Sequence, residues 1–152
     1  DGMRPAPTNS STTVWSKVSL SSTSACAIHS SVLALYCWGS DTARWGTLGD
    51  GSGSTHYVPL EVAGGGAWLS VFAGSGWGCG IRTNGSLSCW GYNRYGCVGD
   101  NSTSNRLEPV TVAGSGVWAS LPSRGYSGWF TCGIQTDGSL WCWVRSCDCV
   151  SK

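Results

Sequence analysis

The stretch CGIRTNGSLSCWG, from Cys79 to Gly91, places two cysteines ten positions apart around an Asn-Gly turn and continues directly into Trp-Gly. The pattern returns as CGIQTDGSLWCW from Cys132 to Trp143, and in looser form as CAIHSSVLALYCWG from Cys26 to Gly39. One module is therefore repeated along the chain, and its period bears directly on the fold.

The period of the repeat is about 50 residues. Each copy opens with a tryptophan, and the three are 53 and 50 residues apart, at Trp15, Trp68 and Trp118. Two further blocks recur twice: TLGDGS at 47–52 against CVGDNS at 97–102, and VPLEVAGGGAW at 58–68 against EPVTVAGSGVW at 108–118. We therefore divide the chain into an N-terminal arm that completes a blade (1–14), repeat one (15–67), repeat two (68–117) and a truncated repeat three (118–152).

Each copy is predicted to hold four short strands: one at the opening tryptophan, two flanking the turn, and one around Val58 to Val62. A two-residue loop, Asn84-Gly85, would place Cys79 opposite Trp90 in the hairpin. A three-residue loop with Gly85 as a bulge places Cys79 directly opposite Cys89 instead. Opposed strand residues have Cα separations of about 4.5 to 5.5 Å, which a disulfide accepts.

Cross-strand disulfides are therefore predicted in all three copies, with reduced, buried cysteines as the alternative. The first copy matches less well, because its cysteines are eleven positions apart and the segment HSSVLAL has no glycine. The predicted pairs are Cys26 with Cys37, Cys79 with Cys89, and Cys132 with Cys142. The three cysteines left over predict an extra or an intermolecular disulfide, and their C-x-C spacing argues against a zinc site; they are Cys97, Cys147 and Cys149.

Nine cysteines in 152 residues indicate an oxidising compartment, so we expect an extracellular protein, secreted or at the cell surface. Three glycosylation sequons, at Asn9, Asn84 and Asn101, agree with this expectation. The sequence begins at Asp1 with neither Met nor an apolar leader, so we expect a processed mature protein or a fragment. The longest apolar runs are too short for membrane insertion, and a net charge of +1 gives no nucleic-acid footprint.

The repeat resembles that of the regulator of chromosome condensation family, in its secreted and bacterial-type form with paired cysteines. The resemblance rests on W-x-x-V, then C-x-I-x-x-[DN]-G-S-L-x-C-W-G, then a G-D-[GN]-S loop and P-[LV]-x-V, and it covers residues 15 to about 142. It implies an all-β fold of four-stranded propeller blades, usually about seven to a ring. Of the functions it implies, nucleotide exchange and ultraviolet sensing are intracellular and conflict with the cysteines, whereas protein inhibition by secreted propellers does not.

The chain departs from this family in blade number. Three units are too few to close such a ring, and the third has no G-D-G loop and no P-x-V strand. Pro7 precedes Trp15 by eight residues, close to the nine that separate Pro59 from Trp68, so the chain can begin with the strand that its last blade lacks. Open blade edges predict closure between chains, as a six-blade dimer or a head-to-tail fibre, unless the chain is part of a longer protein.

The sequence shows no catalytic motif, so we expect no enzyme activity, no cofactor and no metal. Two histidines, His29 and His56, lie in poorly matching parts of the repeat, and turn geometry accounts for Asp50, Asp100 and Asp137. Calcium at the Gly-Asp-Gly loops is the runner-up, although one carboxylate per loop is too few. The recurring tryptophans are predicted to form the core between blades: Trp15, Trp38, Trp68, Trp90, Trp118 and Trp143.

Aromatic residues that do not all recur are predicted to form a binding or assembly surface. They are Trp45, Trp77, Trp129, Trp141, Tyr92 and Tyr95. The sequence thus predicts an extracellular, glycosylated propeller-repeat protein that is not an enzyme. We expect it to have a structural or adhesive role and to assemble with copies of itself into oligomers or fibres. The alternative is a secreted binding module, a lectin or a protein inhibitor, that presents the Trp and Tyr face to cell-surface glycans or proteins.

Overall fold

The computed structural model describes residues 13–122 and 130–143. Their regular structure consists of eleven β-strands, and none of these residues forms a helix long and apolar enough to cross a membrane. The strands are β1 (Trp15–Leu20), β2 (Ser24–His29), β3 (Leu35–Gly39), β4 (His56–Glu61), β5 (Trp68–Ala73), β6 (Trp77–Arg82), β7 (Leu87–Gly91), β8 (Arg106–Thr111), β9 (Trp118–Ser120), β10 (Thr131–Gln135) and β11 (Leu140–Trp143).

The strands form three antiparallel sheets, one for each predicted repeat. Blade 1 has the order β1-β2-β3-β4 and blade 2 the order β5-β6-β7-β8, whereas blade 3 contains β9, β10 and β11 among the described residues. The predicted all-β architecture of propeller-type blades is confirmed. The predicted N-terminal arm lies outside the described residues, apart from its last two positions.

The hairpin at the centre of each blade has the register predicted from its turn. Cys79 lies opposite Cys89, and Gly85 takes a φ of +80° at the end of the three-residue loop. Blade 1 reaches the same result without a glycine, because Leu33 adopts a φ of +57° and lengthens the loop by one residue. Leu33 therefore accommodates the extra residue between the cysteines of the first copy.

All three predicted disulfides are present. They join Cys26 to Cys37, Cys79 to Cys89 and Cys132 to Cys142, with Cα separations of 4.0 to 4.1 Å. The first two bonds are buried, and the third is more exposed because Cys142 lies on the outermost described strand of blade 3. Each bond ties together the two strands of a hairpin too short to be stable alone.

The hydrophobic core lies between blades. One cluster joins Ile28, Leu35 and the first disulfide of blade 1 to Trp68 and Trp90 of blade 2. The second joins Ile81, Leu87 and the middle disulfide of blade 2 to Trp118 and Trp143 of blade 3. A blade therefore acquires its core by contact with its neighbour, as expected of repeat architectures.

The contact between consecutive blades is the same at both junctions. The indole N–H of Trp90 donates to the carbonyl of Thr47 (3.1 Å), in the loop of blade 1, and its ring covers Gly49. Trp143 repeats this contact one blade later, donating to the carbonyl of Cys97 (2.8 Å) and covering Gly99. In blades 2 and 3, the Trp that follows the second cysteine thus fits a glycine notch in the preceding blade.

The predicted burial of the opening tryptophans is confirmed for two copies and wrong for one. Trp68 is 1% exposed and Trp118 is 9% exposed, but Trp15 is 37% exposed. Blade 1 covers Trp68 and blade 2 covers Trp118, whereas no described blade covers Trp15. Trp38, the blade 1 counterpart of Trp90, is likewise only half-buried and packs beside Trp15.

Substitution at the glycine notch tests the junction. Gly49 has a φ of +69°, and an added Cβ would lie 2.8 Å from the Trp90 ring. Gly65 has a similar φ of +53°, but an added Cβ would meet nothing within 4 Å. Gly49→Ala and Gly65→Ala therefore carry comparable backbone strain, and only the first also overpacks the junction.

We expect Gly49→Ala to lower the free energy of unfolding by about 1 to 3 kcal/mol more than Gly65→Ala does. Urea unfolding followed by tryptophan fluorescence measures the difference. Equal losses in the two variants would contradict the importance of the Trp-glycine contact.

Candidate functional site

Three of the predicted surface aromatics come together on the loops that follow β3 and β7. The rings of Trp45 and Tyr92 have centroids 4.5 Å apart, and those of Tyr92 and Tyr95 are 6.0 Å apart. Trp45 and Tyr92 are half-buried, and Tyr95 is exposed. We call these three residues the aromatic cluster; it spans the junction of blades 1 and 2.

A buried aspartate positions Trp45. The Asp41 carboxylate, 3% exposed, accepts hydrogen bonds from the backbone N–H groups of Trp45, Gly46 and Thr47 and from the Thr47 hydroxyl. Four hydrogen bonds compensate for the burial of the carboxylate and fix the start of the loop. The aromatic cluster is therefore held on one side by an ordered loop.

Asn93 has the same role in blade 2. It is fully buried, its side-chain oxygen accepts from the N–H of Val98, and its amide group donates to Ser102, Ser104 and Asp100. Sequence reasoning missed both Asp41 and Asn93. Their signal is positional, because each lies two residues after a Trp-Gly pair and precedes a repeated Gly-Asp loop.

The remaining surface predictions have different outcomes. Trp77 is 1% exposed, so its assignment to the surface is wrong: its indole N–H donates to the Thr131 hydroxyl (3.0 Å) inside the junction of blades 2 and 3. The repeat pattern did not predict that Trp77 is buried, because the equivalent positions in the other copies hold Ser24 and Phe130. Trp141 is 52% exposed but lies on β11, and Trp129 lies outside the described residues.

A cleft of about 490 Å³ lies beside β11. Its walls come from the loop of blade 2 after β7 and from the connection between β8 and β9, and Trp118, Gln135 and Trp141 line the blade 3 side. In the first two blades a fourth strand pairs with the strand that corresponds to β11. No described strand pairs with the outer edge of β11.

The Gly-Asp loops have the structural role that turn geometry predicted. Asp100 accepts from the N–H and hydroxyl of Ser102, and its second oxygen accepts from Arg106 at 2.6 Å. Burial raises the pKa of Asp100, but the hydrogen bonds from Ser102 and Arg106 and the positive charge of Arg106 outweigh it and hold the pKa below its usual range.

The corresponding loop of blade 1 contains Asp50, Ser52 and His56, which are three residue types of hydrolytic triads. Here a single ring nitrogen, Nε2 of His56, lies within hydrogen-bonding distance of both the Asp50 carboxylate (3.0 Å) and the Ser52 hydroxyl (3.1 Å). A proton relay needs the carboxylate and the hydroxyl on different ring nitrogens. His56 occupies the position of Arg106 in the repeat, so this group closes the loop as its counterpart does.

Cys97 lies in the core between blades 2 and 3. It is 0% exposed, and burial raises the pKa of its thiol to about 11. This burial disfavours contact between the Cys97 sulfur and a second chain, and the extra or intermolecular disulfide at Cys97 stays a prediction. The predictions for Cys147 and Cys149 lie outside the described residues. Within residues 13–122 and 130–143, no group of three or more metal-ligating side chains converges.

Two of the three sequons lie in the described part of the chain, and both are at the surface. Asn84 is exposed at the tip of the hairpin of blade 2, where its side-chain oxygen accepts from the N–H and hydroxyl of Ser86. Asn101 is exposed in the Gly-Asp loop and takes a φ of +61°. Asn9 lies outside the described residues. Glycosylation at Asn84 and Asn101 stays a prediction.

The fold is similar to that of several solved structures. Human WBSCR16 superposes with a TM-score of 0.72 at 15% identity, over 87% of this chain and 34% of that one. Yeast RCC1 (Prp20), in a complex with Kap60, gives 0.68 at 17% identity, over 90% and 30%. The ectodomain of the receptor kinase CR4 from the moss Physcomitrella patens gives 0.53 at 22% identity, over 87% and 30%.

These similarities confirm the resemblance to RCC1-like β-propeller repeats at the level of the fold. The chain spans about one third of the length of the structures it matches. No protein-family model and no curated protein matches the sequence. The molecule is thus a partial propeller of RCC1-like blades that carries three intramolecular disulfides, a combination that fits an extracellular, disulfide-stabilised module.

Removing the carboxylate of the blade 2 loop should cost stability in a pH-dependent way. The pKa of Asp100 is lowered in the fold, so its contribution is complete above the unfolded pKa of about 4 and is lost as the pH falls through the folded pKa. Because the Arg106 side chain is 37% exposed, we expect Asp100→Asn to cost only about 1 kcal/mol at pH 7 and almost nothing near pH 2.

Urea titrations of both chains from pH 2 to pH 7 measure this difference. Asp137→Asn is the control for a carboxylate without an arginine partner: hydrogen bonds from Ser139 also lower the pKa of Asp137, so any extra loss for Asp100→Asn reports the contact with Arg106. A loss for Asp100→Asn that stays constant down to pH 2 would show that the ionised carboxylate is not responsible.

Proposed function

We propose that this chain is an extracellular structural protein that assembles with copies of itself through its blade faces and has no enzymatic role. The observation that carries the proposal is the unequal exposure of equivalent tryptophans. Trp15 is 37% exposed where Trp68 and Trp118 are 1% and 9% exposed. Trp68 and Trp118 are buried because a preceding blade covers them. A second copy of the chain can supply such a blade for Trp15.

The exposed face of blade 1 is apolar well beyond Trp15. On and next to β1, Val14 is 61% exposed, Val18 is 66% exposed and Leu20 is 64% exposed. Large exposed apolar side chains grouped on a sheet face are typical of an interaction surface. On β5, the corresponding strand of blade 2, Trp68 and Ala73 are buried against blade 1.

The two ends of the three-blade unit differ, and this difference determines how copies can meet. Blade 1 presents an exposed apolar face, and blade 3 presents the outer edge of β11 and the cleft beside it. Contact between unlike surfaces is heterologous, so it either closes into a ring or continues as a fibre. The same contact therefore allows two assemblies: a closed six-blade ring of two copies, or an open head-to-tail fibre.

The disulfides and the sequons support the extracellular location in this proposal. Disulfides of this kind persist in oxidising environments, and three occur in this short chain. The exposed Asn84 is accessible for glycan attachment and lies outside the cleft, so we propose that the protein is secreted or displayed at the cell surface as a glycoprotein.

Substitution of Trp15 tests the assembly proposal. Trp15→Ala removes the largest side chain from the exposed face of blade 1, so we expect the apparent molar mass to fall to that of a single chain. The control, Tyr95→Ala, changes an exposed aromatic in the aromatic cluster and should leave assembly intact. Sedimentation velocity over a hundredfold concentration range, with and without reductant, gives the measurement. A wild-type chain that stays monomeric throughout would overturn the proposal.

A second candidate is a secreted binding module of the lectin or protein-inhibitor type. The observation that favours it is the aromatic cluster, whose adjacent rings offer the apolar faces on which sugars and peptide side chains pack. This candidate predicts that a monomer binds cell-surface glycans or proteins. Glycan-array binding that Tyr92→Ala abolishes and Trp15→Ala preserves would support it; an array without signal would remove the lectin form.

A further inference from the structure

We infer that the cleft beside β11 binds residues 5–12 of a second copy as an extended strand, which becomes the fourth strand of blade 3. This inference rests on the proposed self-assembly and names the segment that one copy donates to the next. The cleft has the same position relative to the blade 2 loop as β8 has relative to the blade 1 loop.

In blade 2, the fourth strand is held by the loop of the preceding blade. The N–H of Gly51 donates to the carbonyl of Leu107 on β8 at 3.0 Å. A Cβ on Gly46 would lie 2.5 Å from the carbonyl oxygen of Arg106, and one on Gly53 would lie 3.3 Å from the Leu107 side chain. Three positions of the blade 1 loop therefore contact β8.

The same three positions in the next repeat line the cleft. The repeat offset of 50 residues, given by TLGDGS at 47–52 and CVGDNS at 97–102, places Gly96, Asn101 and Thr103 where blade 1 has Gly46, Gly51 and Gly53. All three line the cleft beside β11. The loop that would hold a fourth strand is thus in place, and the cleft has the position of that strand.

The N-terminal segment has the spacing of a fourth strand. In the two complete blades, a proline precedes the opening tryptophan of the next blade by nine residues; Pro7 precedes Trp15 by eight. The residue after each proline lies opposite a cysteine: Leu60 pairs with Cys37, and Val110 pairs with Cys89. By this rule Thr8 pairs with Cys142, in an antiparallel strand whose outer edge tolerates Pro7.

The chemistry of the cleft suits this segment. Residues 8–13 read TNSSTT, a run of hydroxyl and amide side chains. The cleft is lined by polar groups at Asn101, Ser102, Thr103, Ser115 and Gln135 beside the exposed indole of Trp141. An added strand takes its affinity from main-chain hydrogen bonds and its selectivity from such side-chain contacts.

Connectivity favours a donor from a second copy. Between blades 2 and 3 the chain runs from the fourth strand of one blade into the first strand of the next, as β8 leads into β9. Suppose that residues 5–12 of a second copy complete blade 3 of the first. The Trp15 of the second copy then follows the proline of this strand by eight residues, as Trp118 follows the proline of β8 by nine. The exposed blade 1 face of the second copy then contacts blade 3 of the first copy. One interaction then uses both unlike ends of the unit.

A synthetic peptide of residues 1–13 tests the inference. Added in excess to the full chain, it should occupy the cleft and dissociate assemblies into single chains, whereas a scrambled peptide should not. Labelled peptide should bind saturably, by fluorescence anisotropy, to a variant that lacks residues 1–12. In that variant Trp141→Ala should weaken binding by about tenfold, the scale of losing one buried aromatic contact, whereas Leu140→Ala should change it less than about twofold.

The two substitutions are matched, because Leu140 and Trp141 are adjacent on β11 and both exposed, and only Trp141 lines the cleft. If the variant lacking residues 1–12 still assembles and ignores the peptide, the strand donation is wrong while self-assembly stands. If the full chain is monomeric, self-assembly is wrong and peptide binding alone decides whether the cleft accepts this strand. Peptide that binds the shortened variant but not a monomeric full chain would show that each chain fills its own cleft, which overturns donation between copies.

Discussion

The fit of a tryptophan ring into a glycine notch is the contact on which the rest of the structure depends. Trp90 and Trp143 each cover a glycine of the preceding blade and donate the indole N–H to a carbonyl two residues before it. A single contact thus removes apolar area from water and satisfies a buried donor. Because both cores lie between blades, a blade without a neighbour leaves the apolar side chains of that face exposed, as Trp15 is on blade 1.

The disulfides and the Gly-Asp loops make these junctions possible in so small a unit. A blade of four short strands has little interior of its own, so the cross-strand disulfide fixes the hairpin from which the tryptophan projects. Buried Asp41 and Asn93 then order the long loop that carries the glycine notch. Hairpin, loop and tryptophan form one module, and repetition of that module gives the chain its two unlike ends.

Features set by local sequence could be predicted, and features set by the neighbouring blade could not. The hairpin register follows from the loop length and Gly85, so the pairing of Cys79 with Cys89 was accessible from the sequence. Trp77 is buried against the neighbouring blade and donates to Thr131, a residue 54 positions away. The equivalent positions in the other copies hold Ala25 and Gly78, so the repeat pattern does not predict this contact. Trp15 occupies the same position in its repeat as Trp68 and Trp118. It is exposed because no described blade precedes blade 1.

Residue-resolved hydroxyl-radical footprinting, read by mass spectrometry on dissociated and assembled chains, tests the central claim most directly. The account predicts that Trp15 and Trp38 oxidise faster than Trp68 and Trp90 in dissociated chains. On assembly their rates should fall to those of the buried pair, because a second copy then supplies the preceding blade. Equal oxidation of Trp15 in the dissociated and assembled states would contradict the claim that copies join through the exposed face of blade 1.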